Sequence, residues 1–249
     1  MKRLFTIMAM AVATLTAWCG GLTDSLCYNA RLGYNIGGTA PIGMPATIRS
    51  LNEYKMKSNL SFGIDVHKNL KGRWGVMAGL HLENKGMETD ATVKNYHMTI
   101  VKGGQPLEGY FTGNNCVRVD EWLLTVPVTA TYDAAKNVRI KLGPYVSYVM
   151  TKKFDGYVYD GYLRQNTPTG PKIGIGNTDS TRGTFDFSDE MRRFQFGIDA
   201  GVDWYFSKRW GAYADIAWGL TGIHNSDFKT IEQTLYPIFG TLGLTYKLK

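Results

Sequence analysis

The chain has 249 residues and a formal net charge of +7, with 44% hydrophobic and 20% charged residues. Its 29 Gly, 15 Tyr, 11 Phe and 6 Trp exclude global disorder and point to β-structure with many turns. After the N-terminus there is no apolar run of about 18 residues, which excludes helical membrane spans, and three cysteines are too few for a disulfide scaffold.

The N-terminus reads as an address. Met1-Lys2-Arg3 is a short basic start, and the 15 residues Leu4 to Trp18 carry no charge. This is the layout of a secretory signal peptide; as a membrane anchor the stretch is too short. Ala17 and Cys19 occupy −3 and −1 of a cleavage site, so residues 1–19 are expected to be removed, with cuts as far as Ser25 left open. A lipidated Cys19 fits poorly, because bulky Trp18 precedes it. Loss of Lys2 and Arg3 lowers the formal charge from +7 to +5. The remaining cations are scattered, which argues against nucleic acid as a partner. Cys27 and Cys116 are expected at opposite ends of the fold and unpaired.

From residue 27 the chain alternates with period two, so one face of each strand is apolar and the other polar. The segment 28–36 sets Tyr28, Ala30, Leu32, Tyr34 and Ile36 against Asn29, Arg31, Gly33 and Asn35. Residues 60–67 set Leu60, Phe62, Ile64 and Val66 against Ser61, Asp65 and His67; residues 74–83 set Trp74, Val76, Ala78, Leu80 and Leu82 against His81 and Glu83. In 121–132 the apolar set runs from Trp122 to Tyr132 opposite Glu121, Thr125, Thr129 and Thr131, with Leu123 breaking the rule. In 138–149, Val138, Ile140, Leu142, Val146 and Tyr148 oppose Arg139, Lys141 and Tyr145. Residues 193–205 place Phe194, Phe196, Ile198, Ala200, Val202 and Trp204 against Asp199 and Asp203. Residues 210–220 place Trp210, Ile216 and Trp218 against Tyr213 and Asp215, and 236–248 place Tyr236, Ile238, Leu242, Leu244 and Tyr246 against Thr241 and Thr245.

Eight strands of this kind predict an all-β fold. The specific expectation is an eight-stranded antiparallel up-and-down transmembrane β-barrel over residues 27–249. The polar face carries the charges and the apolar face is tipped by aromatics. Trp122 to Tyr132, Phe194 to Trp204 and Tyr236 to Tyr246 are each ten residues apart, and Trp210 to Trp218 eight. Ten tilted residues rise about 25 Å, the height of the band between two membrane aromatic girdles. The girdles would comprise these eight residues with Tyr28, Tyr34, Trp74 and Tyr148. A soluble ligand-binding barrel has no reason to repeat that spacing. Connections alternate: 68–73, 133–137 and 206–209 are short, whereas 37–59, 84–120, 150–192 and 221–235 are long. Short periplasmic turns and long extracellular loops have this rhythm, which places the chain in the outer membrane of a Gram-negative-type envelope with lipid as its partner.

The strand NARLGYNIGG, the segments FGIDVHKNLKGRWGVMAGLHLENKG and FGIDAGVDWYFSKRWGAYADIAWGL, and the tail GLTYKLK resemble the small outer-membrane β-barrel proteins often labelled porin-family or PorT-like. The resemblance covers residues 27–249 and is one of architecture; it implies no catalytic motif and no cofactor. Some relatives serve in protein secretion machinery, so it also implies a secretion protein as one class of partner.

An eight-stranded barrel is just wide enough for its own side chains. The inward cations Arg31, Arg73, Lys85, Arg139, Lys141 and Arg193 balance the acids Asp65, Glu83, Glu121, Asp199, Asp203 and Asp215. A packed ionic lumen is expected, with Arg31–Asp65 and Arg139 or Lys141 to Asp199 or Asp203 as adjacent-strand pairs; a narrow wet channel is the alternative. Outside the membrane, TKKFDGYVYDGYLRQ should extend the fifth strand and GTFDFSDEMRR the sixth, while residues 91–111 form a second hairpin turning at Gly103-Gly104. Phe154, Tyr157, Tyr159 and Tyr162 are the recognition candidates, because tyrosine offers amphipathic area at little entropy cost; a purely structural clamp is the equal alternative.

Signals for catalysis are weak. HExxH, CxxC and GxSxG are all absent. His81 and Glu83 near Glu121 are three possible metal ligands, more simply read as lumen polar groups. His224, Ser226 and Asp227 cluster in a loop without making a triad by that fact. The sequence therefore predicts a non-enzymatic barrel that acts through its external loops, towards an extracellular ligand or a secretion partner. A small diffusion channel is the runner-up, followed by an outer-membrane enzyme acting on lipids or peptides.

Overall fold

The computed structural model describes residues 26–248 apart from 44, 229 and 232; the expected signal peptide and its cleavage site lie outside the described residues. Eleven strands follow in order: β1 Leu26–Pro41, β2 Ile48–Met56, β3 Leu60–Asn69, β4 Trp74–Lys102, β5 Gln105–Ala135, β6 Val138–Gln165, β7 Lys172–Ile175, β8 Gly183–Asp186, β9 Phe194–Trp204, β10 Trp210–Gly219 and β11 Leu235–Lys247. Antiparallel ladders join β1 to β3, β3 to β4, β4 to β5, β5 to β6, β6 to β9, β9 to β10, β10 to β11 and β11 back to β1. The eight long strands thus close into a ring. Closure leaves no edge in the hydrocarbon, where an unpaired backbone group has no water to bind.

The turns at one end are tight. Residues 70–73 connect β3 to β4, with Gly72 in the left-handed region at φ 70°. Lys136 and Asn137 alone connect β5 to β6, and residues 205–209 connect β9 to β10.

The opposite end departs from expectation in part. As expected, residues 151–165 extend the fifth barrel strand, here β6, and residues 91–111 form a hairpin turning at Gly103-Gly104, both at positive φ. Residues 84–120, expected as a long loop, are instead largely continuous strand, with β4 and β5 paired out to Lys102↔Gln105. Residues 48–56, read as loop, form β2, which pairs with β4 alone. Residues 183–186 do not continue β9. They form β8 on the edge of β6, and the irregular segment 187–193 separates the two.

The two faces separate in the membrane part as alternation requires. Phe196, Ile216, Leu142 and Leu242 are 51%, 60%, 57% and 56% exposed, while Asp199 and Asp215 are buried. Above this part the register slips. Trp122 pairs with Thr151 but Leu123 with Val149, so Met150 is an extra residue on β6. A bulge of this kind reverses which side chains point inward. Below it Tyr145, Ser147 and Val149 are buried; above it Phe154 and Val158 are. A second slip, between Val93 and Tyr96 on β4, holds Asn95 at φ 56°. The outer extension consequently has an apolar core of its own, built from Met87, Val93, Met98, Ile100, Phe111, Val119, Phe154, Val158, Leu163, Phe185 and Met191. Leu123, the exception to alternation, faces inward opposite Val149, and both are almost fully buried at the seam between polar lumen and apolar core.

Candidate functional site

The lumen is a polar site assembled from every wall. Arg31 on β1 reaches Asp65 at 3.2 Å, Asp203 at 2.9 Å and Asp215 at 3.2 Å. Its guanidinium also lies 3.7 Å above the Tyr213 ring, a cation–π contact strengthened by exclusion of water. Lys141 on β6 reaches Asp203 at 3.1 Å and Asp215 at 2.7 Å. Asp65 also contacts His81 Nε2 at 2.7 Å. Towards the outer end, Lys85 contacts Glu83 at 3.1 Å, Thr125 donates to Glu83 at 2.7 Å, and Gln195 donates to Glu121 at 2.8 Å.

The expected Arg31–Asp65 and Lys141–Asp203 pairs are therefore in contact, but Arg139 is not on either expected acid. It binds Asp133 at 2.8 Å, its ladder partner at the turn end of β5. Two other expectations are corrected. Arg73 and Arg193 are exposed, each at the residue before its strand begins, where a long side chain reaches water instead of entering the ring. The buried inward cations are Arg31, Lys85, Arg139 and Lys141, against six buried acids, so the expected equality of charge does not hold. Glu121 is served by the Gln195 amide in place of a cation, and Asp199 Oδ1 has no hydrogen-bond partner.

What fills the remaining space was only partly visible in the sequence. Tyr145, Tyr205, Tyr213 and Phe239 are buried inside the ring with Met77 and His67. The signal was their phase, since each falls in step with the polar positions of its strand. The space left between Arg31, His81, Glu83, Lys85, Tyr145, Asp199 and Asp215 is a cavity of about 20 Å³, the size of a single water molecule. Among the described residues, no group of three or more His, Cys, Asp or Glu side chains is arranged to hold a metal ion.

The girdle candidates fall at two heights. Tyr34, Trp122, Tyr148, Phe194, Trp218 and Tyr236 lie at the outer end of the ring, and Tyr28, Trp74, Tyr132, Trp204, Trp210 and Tyr246 at the turn end. Several pair across strands: Trp74 with Tyr132 at 5.0 Å, Tyr148 with Phe194 at 5.3 Å, and Trp210 with Tyr246 at 4.8 Å between centroids.

The outer recognition candidates divide. Phe154 is 1% exposed and packs against Phe185, Phe187 and His224, so it is core; the bulge at Met150 turned it inward. Tyr157, Tyr159 and Tyr162 are half-buried on β6. Tyr157 and Tyr159 lie 5.7 Å apart, with the guanidinium of Arg182 4.5 Å and that of Arg118 5.6 Å from the Tyr157 ring. The Tyr159 hydroxyl donates to Asp90 at 2.6 Å, and this bond holds it above the usual tyrosine range. Lys172 lies 4.4 Å over Tyr162.

The loop cluster at residues 224–227 is not a triad. The His224 ring packs between Phe154, edge to face at 4.6 Å, and Phe228, tilted at 4.9 Å, and among the described residues its buried Nε2 has no hydrogen-bond partner. Burial, and then nearby Lys152, lower its pKa from 6.5 to about 4. A depressed histidine stabilises the fold above the unfolded value of 6.5 and loses that contribution as pH falls towards 4. Amide protection in segments 187–193 and 221–228 should therefore drop over that window. In His224→Phe the drop should disappear, which hydrogen exchange at matched intrinsic rates will read.

A closed ring, a lipid-facing apolar band and a filled polar lumen define a small integral outer-membrane β-barrel. The chain belongs to the outer membrane protein beta-barrel domain family, whose model matches residues 24–225. No curated protein sequence matches it. Among solved structures it is similar to Acinetobacter baumannii CarO2, with 12% identity and a TM-score of 0.43 over 90% of this chain and 100% of that one. It is similar to Ail, the attachment invasion locus protein of Yersinia pestis, solved in complex with the heparin analogue sucrose octasulfate, with 10% identity and a TM-score of 0.40 over 90% and 99%. It is also similar to the Escherichia coli outer membrane protease OmpT, with 11% identity and a TM-score of 0.29 over 90% and 97%. The protein resides in the outer membrane.

Proposed function

We propose that this is a non-conducting, non-enzymatic barrel whose work is done outside the membrane, by presenting a rigid outer hairpin to an extracellular ligand or a secretion partner. The observation that carries the reading is the lumen. Ion pairs and tyrosines occupy it, and the cavity among them is about 20 Å³, which favours a plugged barrel over a conducting one. The apolar core above it supports the same reading, because a folded extension holds a surface in one shape and so lowers the entropy cost of recognition. The surface best suited is the outward side of β6, where Tyr157, Tyr159 and Tyr162 stand beside Arg118, Lys172 and Arg182. Among the described residues the best catalytic candidate, His224, is packed between phenylalanines.

Conductance tests the reading. Purified protein in a planar bilayer should show no steady open-pore current at neutral pH. A stable nanosiemens-scale pore would make it a diffusion channel instead.

A further inference from the structure

The barrel wall is incomplete on one side of its outer end. The β1–β3 ladder stops at Tyr34↔Leu60, and beyond it β1 pairs only with β11, out to Pro41↔Leu235. β2 pairs only with β4. Residues 36–41 and β2 therefore flank a slot with no ladder across it. The Tyr54 hydroxyl reaches across it and donates to the Gly37 carbonyl. The Thr39 amide, left without a strand partner on this side, donates to the Met87 sulfur at 3.2 Å, a weak acceptor.

Behind the slot is a cavity of about 550 Å³. Its inner wall includes Met87, Val93, Met98, Val117, Phe154 and Phe185, all apolar, and its mouth includes Ile36 and Ile238. Ile36 and Ile238 also belong to the lipid-facing side, at 43% and 39% exposure. Ile238 pairs with both Trp218 and Gly38, so the mouth stands at the height of the outer aromatic girdle. Exposed Leu60, Ile42, Leu51 and Met56 continue the apolar surface past the mouth. The size and lining suit a flexible apolar ligand, and the opening faces hydrocarbon. Asn115, 7% exposed and on the cavity wall, has a buried Oδ1 without a hydrogen-bond partner, so the site offers one acceptor to a hydroxyl or amide N–H near the chain.

We propose that this cavity takes a hydrocarbon chain of an outer-leaflet lipid, entering sideways between β1 and β2. The site is separate from the closed lumen, since Leu123 and Val149 stand between them, and it does not depend on the hairpin surface being a recognition site.

The test is photochemical. The full barrel is folded into phosphatidylcholine vesicles containing a phosphatidylcholine with a diazirine near the end of one acyl chain, irradiated, and mapped by mass spectrometry. In a second arm the vesicles are unlabelled and a diazirine fatty acid is added from water. Adducts on Met87, Met98, Phe154 or Phe185 in the first arm, together with Leu242 on the lipid face, are the expected result. Adducts confined to the lipid face overturn the proposal. Adducts on the cavity residues in the second arm only would overturn lateral entry from the leaflet. Ala91→Trp, which places an indole on the cavity wall, should lower the cavity adducts about tenfold while Leu242 labelling is unchanged; cavity labelling that persists in the folded variant also overturns the proposal. The wild-type map decides the matter if that variant fails to fold.

Discussion

Ala200→Arg should lower the stability of the barrel in lipid by about 2–4 kcal/mol, the range for a cation at the bilayer midplane on the lipid face of a barrel. Ala200 is exposed and lies near the centre of β9, between Leu142 on β6 and Ile216 on β10. Both neighbours are apolar and outward, so an arginine there finds no carboxylate and must stretch to an interface or thin the bilayer. The neighbouring Asp199 faces the lumen, so the charge is not simply moved along the strand. Reversible urea unfolding in phospholipid vesicles measures the difference. Ala200→Ser should cost far less, because a hydroxyl can bond within its own backbone. If the arginine variant is as stable as the parent, that face does not meet hydrocarbon.

Arg31→Met should be at least as damaging, at about 3–5 kcal/mol, because it strips the common cation from Asp65, Asp203 and Asp215 and leaves buried charge uncompensated. Methionine keeps much of the volume, so packing is not the dominant loss. Lys141 still holds Asp203 and Asp215, whereas Asp65 is left with His81 alone. Arg31→Met combined with Asp65→Asn should recover part of the loss, since the most isolated carboxylate is then gone. The same unfolding assay, with the mobility of unboiled sample as the check on closure, reads both variants. A single variant within about 0.5 kcal/mol of wild type, the size of an ordinary surface substitution, would mean that the lumen is hydrated enough to screen these charges.

The membrane part of the fold was legible because its rule is local. In RFQFGIDAGVDWY each residue's side follows from its neighbour's, and Phe196, Asp199 and Ala200 take the sides that alternation assigns. The outer part was far less legible. A bulge costs one residue and leaves no mark in composition, yet the one at Met150 moves Phe154 from surface to core. IRSLNEYKM lacks clean alternation, so β2 read as loop; it is a strand because β4 runs past β3 and offers it an edge. The Arg139–Asp133 pair was not legible because Asp133 falls in a segment with the composition of a turn, outside the alternating strand faces.

By itself the sequence determined which side chains take the outward face, at which strand ends the aromatics fall and that the inward face carries the charges, since period-two alternation, aromatic spacing and a charge-bearing face are all properties of single strands. Only the tertiary structure decided which charges meet. Arg31 sits on β1, whose ladder neighbours are β3 and β11, yet two of its three acids come from β9 and β10 across the lumen. Closing the ring brings those walls within reach of one guanidinium, and a ladder that ends early leaves a slot in the wall. Both follow from how strands of unequal length meet around a circle, which no single strand encodes.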